Sequence, residues 1–210
     1  MVIATVFLVL LFDQWLKFYI KTNFTLGQSV MMIPTWFELH FTENPGMAFG
    51  LTLGGKWGKI ILTIFRILAS GLIIYYIKSL ISEKAKYRLI VLVSLILAGA
   101  LGNILDSLFY GIFFSESTWH QVAVFLPETK GYAPIFMGKV VDMLYFPLID
   151  TILPDWIPYM GGERFQFFRP VFNIADAAIS TGVFAIILFR KRLFDNEIEE
   201  KSVSIVNTEV

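Results

Sequence analysis

The sequence predicts an all-α membrane protein, a bundle of four transmembrane helices, and three observations carry that prediction. The 210 residues are 56% hydrophobic and 16% charged, with a mean hydropathy of +0.68, too apolar for an ordinary soluble domain. Four runs of about twenty predominantly apolar residues are each long enough to cross a hydrocarbon core. Charged and amide residues in or beside these runs gather in a few places instead of scattering. Composition also excludes chemistry. A formal net charge of +0, with no long basic stretch, leaves no footprint for nucleic acid. Cysteine is absent, so there is no disulfide and no thiolate nucleophile. The two histidines, His40 and His120, stand far apart without ligand spacing, so no metal and no other cofactor is expected.

The first run, residues 2–20, is interrupted by Asp13, Gln14 and Lys17. No basic stretch precedes it and no small-residue cleavage site follows, so it reads as a retained helix and not as a signal peptide. A first long connector, 21–58, contains "NPGMAFG" at 44–50, a turn leading into a short apolar segment or simply a loop. The second run covers 59–77, and a short connector with Lys78, Glu83, Lys84, Lys86 and Arg88 leads to the third at 89–110. After a second long connector, 112–170, the fourth run covers 171–189 and ends on "RKR" at 190–192. Excess Lys and Arg mark the cytoplasmic side of a bilayer, so both termini are expected in the cytoplasm and both long connectors outside. Residues 1–192 then form a single integral membrane domain, and 193–210 a polar cytoplasmic tail without a core of its own.

This topology brings Asp13 and Lys17, Asn103 and Asp106, and Asn173 and Asp176 to the same, outer depth of the bilayer. Each carboxylate costs up to about 3 kcal/mol at the centre of a lone helix, and a shared outer pocket is the economical account of their common level. Each cluster also has a plainer reading. Asp13 and Lys17, spaced i,i+4, can neutralise each other while Lys17 snorkels to the headgroups. "GALGNILD", 99–106, can be helix-packing glue, small residues allowing close approach and the polar pair bonding across helices. Asn173 can be an ordinary N-cap and Asp176 an acid favoured by the helix dipole. "GKVVDMLYFP", 138–147, resists such a reading. Its valines and aromatics make a β-like or interfacial segment that holds Asp142 in apolar surroundings, and desolvation of that kind raises a carboxyl pKa. A second acid nearby raises it further, until two carboxyls share one proton and supply an acid and a base together.

"DQWLK" (13–17), "NPGMAF" (44–49), "GALGNILD" (99–106), "GKVVDM" (138–143) and "FNIAD" (172–176), in this order around four apolar runs, resemble lipoprotein signal peptidase, also called signal peptidase II. The resemblance implies an aspartic protease of the bacterial plasma membrane. Such an enzyme removes the signal peptide of prolipoproteins immediately before a diacylglyceryl-modified cysteine, and its partners are that substrate and membrane lipid. Carried over by motif, the catalytic pair is Asp142 and Asp176, supported by Asp13, Gln14, Lys17, Asn44, Gly46, Gly102, Asn103, Asp106, Asn173 and Ala175. A monomer is expected, with a small external β-rich cradle and a mobile, amphipathic interfacial element over the site. Three departures stand out. Ser107 occupies the place where the family usually has arginine, and Arg164 or Arg169 are candidate substitutes. About 25 residues rich in Phe and polar turn formers intervene before "VVD". A further segment, 148–168, lengthens the path to the last run, and its aromatics, Pro and Gly suit a surface element on the outer headgroups. Two rivals remain. A proton-coupled carrier needs ionisable groups through the bilayer depth, whereas inner-half acids and inverted repeats are not evident. A non-catalytic scaffold leaves Asp142, a connector residue, without a reason.

Overall fold

The computed structural model describes residues 1–45, 55–167 and 169–194. Helix α1 (Val2–Asn23) leads into the hairpin β1 (Ser29–Ile33) and β2 (Phe37–Asn44), and then come α2 (Gly55–Ser82) and α3 (Tyr87–Leu105). A π-helical turn, Asp106–Tyr110, continues α3 into the short α4 (Gly111–Phe113). Strands β3 (Val140–Tyr145), β4 (Ile149–Ile152), β5 (Arg164–Phe167) and β6 (Val171–Phe172) precede α5 (Ile174–Leu188).

Three helical stretches, Val2–Asn23, Trp57–Ser82 and Tyr87–Phe113, are long and apolar enough to cross a membrane. The expected fourth apolar run, 171–189, turns helical later than expected. Val171 and Phe172 pair with Tyr145 and Leu144 of β3, so the chain turns helical only after Asn173. That leaves α5 with 15 residues, an apolar helix shorter than the other three. The second helix overruns its expected bounds of 59–77 at both ends, and the third continues past residue 110. The small β-rich cradle expected beside the helices is present as strands. A four-stranded sheet runs in the order β1-β2-β3-β6, and β4 and β5 form a separate two-stranded one, its pairs all antiparallel. Over 148–168 the surface element expected on the headgroups takes the form of this β4–β5 hairpin, which exposes Ile152, Trp156, Tyr159 and Phe167.

Helix α3 is the axis of the bundle, contacting α1, α2 and α5. Most of its span (61%) is buried against 17% for α1 and for α2, so the outer two offer most of their apolar surface to lipid. One core cluster lies against the sheet and joins Ile20 and Phe24 to Leu39, Phe41, Phe114, Val141 and Met143. A second, with Ile77, Leu80, Leu89, Val93 and Leu97, binds α2 to α3.

An ion cluster ties the connectors to the end of α1. The Lys21 ammonium pairs with Glu43, donates to Ser117 Oγ at 3.0 Å and lies 4.9 Å from the centroid of the Tyr132 ring. Lys139, just before β3, reaches the other Glu43 oxygen at 3.1 Å. Burial pushes the Glu43 carboxyl up, but the Lys21 and Lys139 charges outweigh it and hold Glu43 below the usual carboxylate range. Residues of the 112–137 segment thus enter the packing, with Phe114 2% exposed. β2 and β3 are fixed relative to α1, and β3 in turn holds β6, which ends one residue before Asn173.

Candidate active site

The site is built on a lysine that cannot reach water. Lys17 is fully buried and, instead of snorkelling, places its ammonium 2.8 Å from Asp13 and 2.9 Å from Asp106. It also donates to Asn103 Oδ1 at 3.2 Å. Two buried carboxylates against one ammonium is costly unless the remaining lone pairs are used, and here they are. Gln14 donates to Asp106 Oδ1 at 2.8 Å and to Asp13 Oδ2 at 3.1 Å, and the Tyr110 hydroxyl donates to Gln14 at 3.2 Å.

Each of these acids then grips a distant backbone. Asp13 Oδ1 accepts from the Ala175 N–H at 2.8 Å. Asp106 Oδ2 accepts from the Val141 N–H at 3.2 Å. Ala175 immediately precedes Asp176 and Val141 immediately precedes Asp142, so one buried ion triad sets the positions of both. Close backbone approach makes this reach possible. A Cβ on Gly102 would stand 2.8 Å from Asp13 Oδ2, and one on Gly99 would stand 2.1 Å from the Ala175 carbonyl oxygen.

The two asparagines complete the link. Asn173 caps α5 by accepting the Asp176 N–H at 2.8 Å, while its amide donates to Asp142 Oδ1 at 2.6 Å and to Asn103 Oδ1 at 3.2 Å. Asn103 in turn donates to Asp176 Oδ1 at 2.7 Å. Asp142 is 4% exposed; burial first, and the Asp176 charge second, push its carboxyl up to about 8, against the opposing hydrogen bond from Asn173. Asp176 stands in the first turn of α5, where unpaired N–H groups favour negative charge. A carboxyl pushed up to about 8 therefore shares one hydrogen-bonded network with a second carboxyl, an arrangement able to perform acid–base chemistry.

Of the remaining expected residues, Asn44 ends β2 opposite Val140, and Gly46 lies outside the described residues. Ser107 turns its hydroxyl back to the Asn103 carbonyl at 2.8 Å, and its own carbonyl accepts from Gly138 N–H at 2.9 Å. Arg164 and Arg169 line a separate cavity of about 410 Å³ with Glu38, His40 and Tyr145. One residue escaped the sequence reading. Arg66 lies within the second apolar run, on the α2 face that also carries the buried Lys59, Thr63 and Ser70, spaced i, i+4, i+7 and i+11. The carboxylates of Asp176, Asp106 and Asp142 are the charges that act on its guanidinium. The available signal was an ionisable group inside a span, which marks a functional candidate by itself.

Comparison with known proteins gives the family. The "Lipoprotein signal peptidase" of Porphyromonas gingivalis is 48% identical over 189 residues, covering 89% of this chain and 81% of that one. That of Amoebophilus asiaticus is 39% identical over 197 residues, 92% of this chain and 78% of that one. Among solved structures, a bacterial membrane enzyme determined by the in meso method at 2.3 Å resolution shares the fold with a TM-score of 0.56 at 24% identity, over 91% of this chain and 88% of that one. Residues 5–191 match the family described as Signal peptidase (SPase) II; a membrane protein with three long apolar helices and a small sheet over a buried carboxylate network, this chain belongs to that peptidase family.

Proposed function

We propose that this chain is an aspartic endopeptidase that removes the signal peptide from diacylglyceryl-modified prolipoproteins, cutting just before the lipidated cysteine. The single observation that carries the reading is the joining of Asp142 and Asp176, from β3 and α5, through the Asn173 side chain. Asp142, its carboxyl pushed up to about 8 by burial and by Asp176, is protonated at neutral pH and donates a hydrogen bond to the scissile carbonyl oxygen. Asp176, ionised, takes a proton from the attacking water. The resulting tetrahedral intermediate carries the Asp142 proton on its oxygen. As the C–N bond breaks, the proton held by Asp176 passes to the leaving nitrogen and one hydroxyl proton of the intermediate returns to Asp142, which restores the starting protonation states; water is the nucleophile, so no covalent enzyme adduct forms.

The same reading places the chain in the bacterial plasma membrane as a monomer, with both termini cytoplasmic and the pair on the outer face. α5 serves as a fourth, shortened crossing. Its N-terminus is sunk at the level where Asp13 holds Ala175, so the peptide bond beside a lipid-anchored cysteine meets the acids without leaving the leaflet. Buried methylenes of a diacylglyceryl group, about 0.8 kcal/mol each, hold the substrate there. Purified protein with a lipidated precursor peptide provides the test. Asp142→Asn and Asp176→Asn are each expected to lower turnover by about 10²–10⁴, the usual contribution of a general acid or base, with the fold retained. Turnover near the wild-type rate in either variant rules the pair out.

A further inference from the structure

At the end of the bundle opposite the carboxylates, α3 and α5 diverge around a groove of about 780 Å³, within the range of small-molecule pockets. Its walls are apolar: Val91 and Leu92 on α3, then Ala185, Phe189 and Leu193 on α5 and the turn beyond it. Its mouth is basic, lined by Lys86, Arg88 and Arg192, and among the described residues no Asp or Glu lines it. The Lys86 ammonium donates to the Arg192 carbonyl oxygen at 2.6 Å, which holds the start of α3 against the chain that follows α5. The Arg88 guanidinium is aligned by the Tyr87 hydroxyl at 3.2 Å.

We infer that this groove is a binding site for one anionic diacyl phospholipid, its phosphate over Lys86, Arg88 and Arg192 and an acyl chain along Leu92, Ala185 and Phe189. Charge complementarity chooses the occupant. Guanidinium forks match phosphate oxygens, and basic pockets between membrane helices select anionic headgroups. A zwitterionic lipid brings an ammonium to a mouth where, among the described residues, no carboxylate stands to receive it. A free phosphate ion uses the mouth but not the apolar wall, so the shape fits the lipid. The inference does not depend on the peptidase chemistry proposed for the other end of the bundle.

Native mass spectrometry of the full-length, detergent-purified protein titrated with phosphatidylglycerol and with phosphatidylethanolamine tests it. The anionic lipid is expected to bind more tightly, with a preference of at least about five-fold, the factor that one basic residue near an anionic surface supplies. Arg88→Gln combined with Arg192→Gln abolishes that preference, Leu92→Trp lowers binding of the anionic lipid by filling the wall, and Lys78→Gln, outside the groove, changes neither. Thermal unfolding of each variant confirms that it is folded, and Arg88→Lys, which keeps the charge, retains the preference. Equal binding of the two lipids by the wild type overturns the inference. So does a preference that survives the double substitution.

Discussion

Replacing Asn173 by serine separates two jobs that one side chain performs. Serine caps a helix about as well as asparagine, so the Asp176 N–H keeps an acceptor, but the amide that donates to Asp142 Oδ1 at 2.6 Å is lost. That donor favours the ionised form of Asp142, against burial and the Asp176 charge, which push the carboxyl up to about 8. A hydrogen bond to a charged group is worth about 1.5–3 kcal/mol. Since about 1.4 kcal/mol corresponds to one pH unit, the loss raises the Asp142 carboxyl by about one to two units. The sign follows from its role. In the proposed mechanism Asp142 acts while protonated, so activity is expected below its pKa and is lost as pH rises through it. The alkaline limb of the rate profile should therefore move from near 8 toward about 9 to 10. Cleavage of a lipidated precursor peptide by purified protein in lipid, followed from about pH 5 to pH 11, reads the position of that limb. The height of the profile should fall too, because Asp142 loses an anchor, but the position is the diagnostic quantity. A limb that stays near 8, or moves toward acid, refutes the assignment of Asp142 as the protonated partner.

Two further substitutions probe the supports. Lys17→Met leaves Asp13 and Asp106 buried without their shared cation, and breaking such a set costs about 3–5 kcal/mol. At about 2–4 °C per kcal/mol for a chain of this size, thermal unfolding in detergent should come about 6–20 °C earlier, and a shift of less than about 3 °C contradicts the view of Lys17 as the structural centre of the site. Arg66→Gln removes a cation acted on by Asp142, Asp176 and Asp106. Without it the neutral form of Asp142 is favoured further, so the alkaline limb should move upward. Arg66→Lys should keep the limb where the wild type has it. An unmoved limb in Arg66→Gln, accompanied only by lower stability, makes Arg66 a packing residue.

Much of the site was legible residue by residue. Asp13, Lys17, Asn103, Asp106, Asp142, Asn173 and Asp176 announce themselves because each is a polar group in apolar surroundings, and such groups are expensive without a partner. Which partner each takes was not legible. The i,i+4 spacing of Asp13 and Lys17 admits a closed local pair, whereas the structure has Lys17 shared with Asp106 and Asp13 turned to Ala175, 162 positions away. Asn173 reads correctly as a cap, yet its amide serves a carboxylate 31 positions earlier. Lys21, Glu43 and Lys139 gave no local sign of belonging together, since each alone resembles a solvated charge at the end of a span or on a strand.

Membrane residence, the three long helices and the motif residues follow from the sequence by itself, because hydropathy is a sum over neighbouring residues and needs no knowledge of what lies across the fold. Only the tertiary structure decided that Val171 and Phe172 form a strand, that α5 is consequently short, and that Asp142 meets Asp176 through Asn173. An apolar pair such as Val171–Phe172 satisfies helix and strand equally until Leu144 and Tyr145 offer their backbone groups. Hydrogen bonds and ion pairs act over about 3 Å of space and are indifferent to distance along the chain.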